Sequence, residues 1–353
     1  MIRYRLLFSI LVLPLTTGTI GLNAQWWNPV DWFTTTPEER RAELEPATEE
    51  EESGAKRLYD EGMTALRNGN EGRAKRRFER IAEKYERTLV APDALLRIAE
   101  IQVEKQKFKK GFRTAQSVIT RYPDYPGFND VIRLQFEVAT QIMEGERSRI
   151  LGIIPKLGAP ERARGYFEVV VSNAPYSDYA PMALMNIALV SRDVGEDEYA
   201  IDALDRLVNF YPNNMFGPDA YFTLAEIFAE KVDGPYYDQS ATSQAINFYE
   251  DFLLLYPNNP RAADAESGLK EMEEVFAKSK FLLGDYYYKY RFNTTAALVF
   301  YNETITEAPN SESAELAQQR IDRIRAGERP PRVGLGLARS EEHTSELQSH
   351  API

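Results

Sequence analysis

PDALLRIAEIQVE (residues 92–104) returns almost letter for letter as PDAYFTLAEIFAE (residues 218–230), with a looser copy, PMALMNIALV, at residues 181–190. Within each copy the apolar residues recur at the three- and four-residue steps of one helix face. Each copy is followed by a second helical stretch that closes on proline, at Tyr122-Pro123, Tyr211-Pro212 and Tyr256-Pro257. Ala174-Pro175 and Ala308-Pro309 close two further units in the same way. The intervals between these five prolines are 52, 37, 45 and 52 residues, each one helical hairpin with or without an insert. Such a period marks a stacked array of helical hairpins, an architecture whose usual work is holding other polypeptides.

Turn and breaker residues divide the array into six hairpins. The first covers residues 55–85, joined at Asn68-Gly69-Asn70, with Ala74, Phe78, Ala82 and Tyr85 as its expected buried stripe. The second covers 89–123, and the third 128–175 with an insert near 146–160. The fourth, 179–212, is the most regular; the fifth, 217–257, carries an insert at 233–240. The sixth runs over 261–309 with an unusually long first helix, and 311–326 reads as a capping helix stopped by Gly327 and Pro330-Pro331.

These units resemble tetratricopeptide repeats, which place a large residue at position 4, an apolar one at 7, small ones at 8 and 20, an aromatic at 24 and proline at 32. The fourth hairpin has Leu184, Ile187, Ala188, Ala200, Leu204 and Pro212 at those places. Small residues at 8 and 20 let the paired helices approach closely, and the bulky ones fill the gaps between them. The expected fold is therefore all-α: a tetratricopeptide-repeat solenoid of about six helical hairpins plus a C-terminal capping helix, over residues 55–326.

The 353 residues carry a net charge of -12, which argues against a nucleic-acid partner. There is no cysteine, so disulfides, thiolate metal sites and a cysteine nucleophile are excluded. The two histidines, His343 and His350, fall in a terminal segment whose RSEEHTSELQS (residues 339–349) resembles the translation of a sequencing adapter. Residues 339–353 are set aside on that ground, within an expected disordered tail at 327–353. No Ser-His pairing, phosphate-cradling loop or metal-ligand spacing appears, and Glu271, Glu273 and Glu274 read as a solvated helix face. The expectation is a non-enzyme with no cofactor and no metal.

Residues 1–24 read as an export signal, with Arg3 and Arg5 before an apolar stretch at 6–15 and Ala24 before the cleavage point. Residues 25–54 then read as a flexible acidic linker holding all three tryptophans, Trp26, Trp27 and Trp32, and the acid run 49–52. Amphipathic rings favour a membrane–water boundary, which makes the three tryptophans candidate membrane contacts; docking on the first hairpin or on a partner protein is the alternative.

The C-terminal part narrows the resemblance. DQSATSQAINFYEDFLLLYPNN (residues 238–259), a long helix, and then GDYYYKYRFNTTAALVFYNETITEAPNSESA (residues 284–314) look like the BamD-type outer-membrane assembly factor. Tyr287, Tyr288, Ala296, Ala297 and Pro309 stand at that family's positions, and the likeness covers roughly 55–325. Two features depart from it. The family is typically lipidated on a cysteine where this chain has Leu22-Asn23-Ala24-Gln25, and it usually has about five hairpins rather than six.

The resemblance implies a periplasmic scaffold at the inner face of the outer membrane. Its partners would be a BamA-like barrel-assembly protein and segments of unfolded outer-membrane proteins. It also implies a peptide groove lined by positions 2, 5, 9 and 12 of each first helix. Candidates are Asp93, Leu96, Glu100 and Val103; then Asp130, Arg133, Glu137 and Thr140. The later hairpins add Met182, Met185, Leu189 and Arg192, followed by Asp219, Phe222, Glu226 and Ala229. Tyr286, Tyr287, Tyr288 and Tyr290 are the C-terminal docking candidates, although helix geometry puts only Tyr286 and Tyr290 on a common face. The alternative reading is another exported tetratricopeptide adaptor, of the Tol-Pal cell-division coordinator type.

Overall fold

The computed structural model describes residues 46–147 and 159–328. Among them are thirteen α-helices and no strand. In chain order they are α1 (Glu49–Arg67), α2 (Glu71–Lys84), α3 (Ala91–Glu104), α4 (Phe108–Arg121), α5 (Phe128–Arg147), α6 (Ala159–Asn173) and α7 (Tyr179–Asp193). They continue with α8 (Asp197–Phe210), α9 (Gly217–Glu230), α10 (Ser240–Leu255), α11 (Ala262–Lys289), α12 (Thr294–Glu307) and α13 (Glu312–Arg325). Taken in pairs, α1 to α12 are the six expected hairpins, and α13 is the expected cap. The long first helix of the sixth hairpin is α11, at 28 residues.

The chain forms two compact units. Among the described residues, one holds those up to Leu95 with Thr120–Pro123, and the other holds Leu96–Ile119 with those from Asp124 onward.

In the first unit, α1 begins earlier than the linker boundary at 54 allows. Thr48 caps the helix through a capping box: its Oγ1 accepts from the Glu51 N–H at 3.3 Å, and its own N–H donates to Glu51 Oε2 at 2.8 Å. The four glutamates that read as a solvated linker form the first turn, where the positive end of the helix dipole favours them. They also hold the far end of the hairpin. Glu51 pairs with Arg87 at 3.2 Å, and Glu52 accepts the Leu89 N–H at 3.0 Å. The hairpin turns where expected: Gly69 adopts φ +72° and Asn70 caps α2 by accepting from the Arg73 N–H. Its buried stripe is Ala74, Phe78 and Ile81, while Ala82 and Tyr85 are only half-buried. Gly62 lets α1 lie on the Phe78 ring, since a Cβ there would sit 2.6 Å from Phe78 Cε1.

In the second unit one continuous core runs from Ile132 to Met272, built from the small and bulky positions of successive hairpins, including Ala188, Leu204, Ala225, Ala245 and Phe252. A separate C-terminal core gathers Tyr288, Ala297, Tyr301, Ala317 and Ile321. A polar cluster lies among these apolar side chains. The amides of Gln116, Gln135 and Asn173 satisfy each other over 2.7–3.2 Å, as a buried polar cluster must.

The Tyr-Pro signature has a physical role beyond ending the helix. Tyr211 Oη donates to the Pro175 carbonyl at 2.5 Å, and in the first unit Tyr122 Oη donates to the Glu86 carbonyl at 2.8 Å. Both bonds reach back 36 residues, one repeat, to the backbone where the preceding hairpin ends. Substituting Gly62 by Ala pushes a methyl group into the fully buried Phe78 ring. It is expected to cost about 1–3 kcal/mol of overpacking, read as a lower urea midpoint with an unchanged slope.

Candidate functional site

The expected groove residues of the fourth and fifth hairpins do converge, and they do so through a charge ladder. Arg192, near the end of α7, reaches Glu230 at 2.8 Å and Glu226 at 3.7 Å on α9. Glu226 is met from the other side by Arg261, the residue just before α11, at 3.2 Å. Arg261 also lies 4.0 Å from Asp219, and its guanidinium sits 3.4 Å above the Phe222 ring. One carboxylate thus links three successive hairpins, with the neighbouring arginines held by a second acid and by a cation–π contact.

Phe222 is a correction to the expected groove lining. It is 4% exposed, covered by Arg261 and packed edge-on against Tyr249 and Phe252, so it supports the surface rather than touching a peptide. Met185 is half-buried against the core, whereas Leu189 is exposed. Leu96 is buried, and Val103 packs beside Gly111. Asp130, Arg133 and Glu137 do come together, but only on their own helix, with Arg133 3.0 Å from Asp130 and 3.8 Å from Glu137. Glu100 likewise accepts from Arg97, one turn away, at 2.6 Å. Asp93 is half-buried near the start of α3. Trp26, Trp27 and Trp32 lie outside the described residues.

Two members of the ladder, Arg261 and Glu230, were absent from the expected set because neither occupies a groove position of a first helix. The signal lay in the period: Arg261 stands 35 residues after Glu226, and Glu230 stands 38 after Arg192.

The C-terminal tyrosines divide. Tyr288 is 1% exposed and belongs to the core, which corrects its place among the docking candidates. Its face of α11 is the apolar row Ala277, Phe281, Gly284 and Tyr288, at helical spacing. Tyr287 is half-buried, stacked on Phe300 with centroids 5.4 Å apart. Tyr286 and Tyr290 stand free, 47% and 58% exposed and 6.0 Å apart, with Leu283 one turn earlier and exposed Phe292 in the following turn.

A polar hub fixes this surface from beneath. Asp285 accepts from Tyr301 Oη at 2.7 Å and Arg320 Nε at 3.2 Å, and it pairs with Lys289, tying α11 to α12 and α13. Burial works against its charge, but the bonds from Lys289 and Tyr301 and the charges of Lys289 and Arg320 outweigh it, holding the carboxyl below its usual range. Burial and the bond to Asp285 push the Tyr301 phenol up. Gly284 makes room for this, since a Cβ there would lie 2.6 Å from the Tyr301 ring.

Among the described residues no group of acids and histidines is arranged to hold a metal, and no helix is long and apolar enough to cross a membrane.

A family profile described as "YfiO: Outer membrane lipoprotein" matches residues 51–228 and again 158–318. The outer membrane protein assembly factor BamD of Xylella fastidiosa (strain 9a5c) is 29% identical over 131 residues, 34% of this chain and 45% of that protein. The factor of the same name from Caulobacter vibrioides is 27% identical over 124 residues, 35% of this chain and 41% of its own length. The matched stretch thus spans about half the length of these relatives. Among solved structures, a thermophilic tetratricopeptide protein from Thermus thermophilus aligns at 18% identity with a TM-score of 0.28, over 61% of this chain and 98% of its own.

Two outcomes are expected. Glu226→Gln removes the shared partner of Arg192 and Arg261. It should cost about 1 kcal/mol at low salt, with most of the difference gone in molar salt, since these groups are partly exposed; urea titrations at two salt concentrations measure it. Asp285 has a lowered folded pKa, so its stabilisation is complete above the unfolded value of about 4 and is lost as pH falls below it. Thermal scans between neutral pH and the acid side of that value should show the Asp285→Asn protein less stable than the parent at pH 7, with the gap closing in acid.

Proposed function

This chain belongs to the YfiO family of outer membrane lipoproteins, and we propose that it works as a non-catalytic periplasmic scaffold in outer-membrane β-barrel assembly. In this reading the C-terminal hairpin docks on a BamA-like barrel-assembly protein. The face of α7 and α9 around Arg192, Glu226 and Leu189 receives an extended segment of an unfolded outer-membrane protein. The observation that carries the docking half is the exposed pair Tyr286 and Tyr290 with Phe292, on a helix whose opposite face is locked into its own core. Paired exposed tyrosines on a rigid helix are the side chains most often found at the energetic centre of an interface, because they bring large contact area at low entropic cost.

The second half is supported by the alternation of charge and apolar surface. Leu189 and the edge of Met185 lie on the same helix as Arg192. A segment in extended conformation can place alternate side chains on such a surface while its backbone bonds to the charged groups. Catalysis has no part in this reading. The match to a family whose curated relatives are named assembly factors favours it over an exported adaptor of the Tol-Pal type.

Affinity capture of the tagged protein under mild solubilisation tests the reading directly. A barrel-assembly protein is expected to accompany the parent chain, and Tyr286→Ala with Tyr290→Ala should reduce that capture by about thirtyfold, the loss of a hot spot worth about 2 kcal/mol. Capture that survives the double substitution would contradict the docking surface, and absence of any barrel-assembly protein would contradict the role.

A further inference from the structure

The acidic chain carries a concentrated basic surface in the first unit, on residues given no role above. On α2 the residues Arg73, Arg76, Arg80 and Lys84 follow at steps of three, four and four, which puts them along one side of the helix. At 1.5 Å per residue the stripe is about 16 Å long. All four are exposed, and among the described residues none makes an ion pair. Arg77, beside them, is held by Glu61 at 3.1 Å, and Glu79 is engaged by Lys75. Glu83 borders the stripe on its other side. The shallow hollow along α2 is lined by charged side chains alone.

We propose that this stripe is a contact surface for anionic phospholipid headgroups. The hollow has no apolar side chain in its lining to seat those of a peptide. A headgroup layer asks only for positive charge at the spacing of successive helix turns, and arginine meets phosphate oxygens two at a time. The net charge of -12 does not oppose this, because acids farther than about 8–10 Å away are screened at physiological salt. The stripe also sits on the hairpin that directly follows the segment carrying Trp26, Trp27 and Trp32. Weak single contacts hold a protein at a bilayer only in combination.

Co-sedimentation of the full chain with vesicles tests the proposal, using phosphatidylcholine alone and phosphatidylcholine with phosphatidylglycerol. The parent should bind the anionic vesicles more tightly and lose that preference as salt rises. Arg73→Gln, Arg76→Gln and Arg80→Gln together should weaken anionic binding on the order of a hundredfold, at roughly a tenfold effect or less per basic residue. The melting curve should be unchanged, since these side chains make no ion pair among the described residues. Capture of a barrel-assembly protein by the same variant should also be unchanged, which separates this proposal from the docking role. Equal binding to both vesicle types, or anionic binding that survives the triple substitution, overturns it. So does stripe-dependent retention on immobilised polyglutamate in place of vesicles, which would make the partner an acidic polypeptide.

Discussion

The second unit depends on one hairpin lying against the next at a fixed offset. Several of the polar contacts that join its neighbouring hairpins are made between residues about one repeat apart: Arg164 with Glu196 at 32, Lys231 with Glu198 at 33, Tyr211 with Pro175 at 36, Arg206 with Glu168 at 38. The offset is set by apolar packing. Alanines such as Ala188, Ala200, Ala225 and Ala245 are fully or almost fully buried, and they bring the helix axes close enough for the polar groups at the rim to meet. The ion pairs are individually weak because most remain partly exposed. Their contribution is to register, since a slip by one helical turn would break several of them together.

Most of the architecture was legible because tetratricopeptide packing is written in local positions. Small residues at fixed places, the Asn68-Gly69-Asn70 turn and the prolines that close five of the six hairpins all act within a few residues of one another. The six pairs and the cap followed from them. The start of the first helix was missed for a local reason as well. Four consecutive glutamates have a disordered composition, yet a threonine three residues before the third of them converts the same run into a capped first turn. The T-x-x-E signal was present and was outweighed by composition.

The candidate site was legible only in part, for a different reason. A repeat position states which way a side chain leaves its own helix and says nothing about what the next hairpin lays over it. Phe222 leaves α9 at a groove position, but Arg261 comes from the following turn and covers it. Tyr288 leaves α11 beside two exposed tyrosines and is buried by α12 and α13. In the latter case the apolar row through Ala277, Phe281 and Gly284 had marked the face. The tyrosine run itself drew attention to side chains pointing in several directions.

The account therefore joins the stacked hairpins of the second unit to a small exposed aromatic surface held from below by Asp285, Tyr301 and Arg320. Its central claim is that this surface meets the barrel-assembly machinery. Site-specific photo-crosslinking in the native cell envelope tests that claim most directly, with the photoreactive residue at position 290 and, as comparison, at Tyr176, which is 100% exposed in the turn between the third and fourth hairpins. The account predicts an adduct with a barrel-assembly protein from position 290 and none from 176. The same adduct from both positions, or from 176 alone, would contradict it.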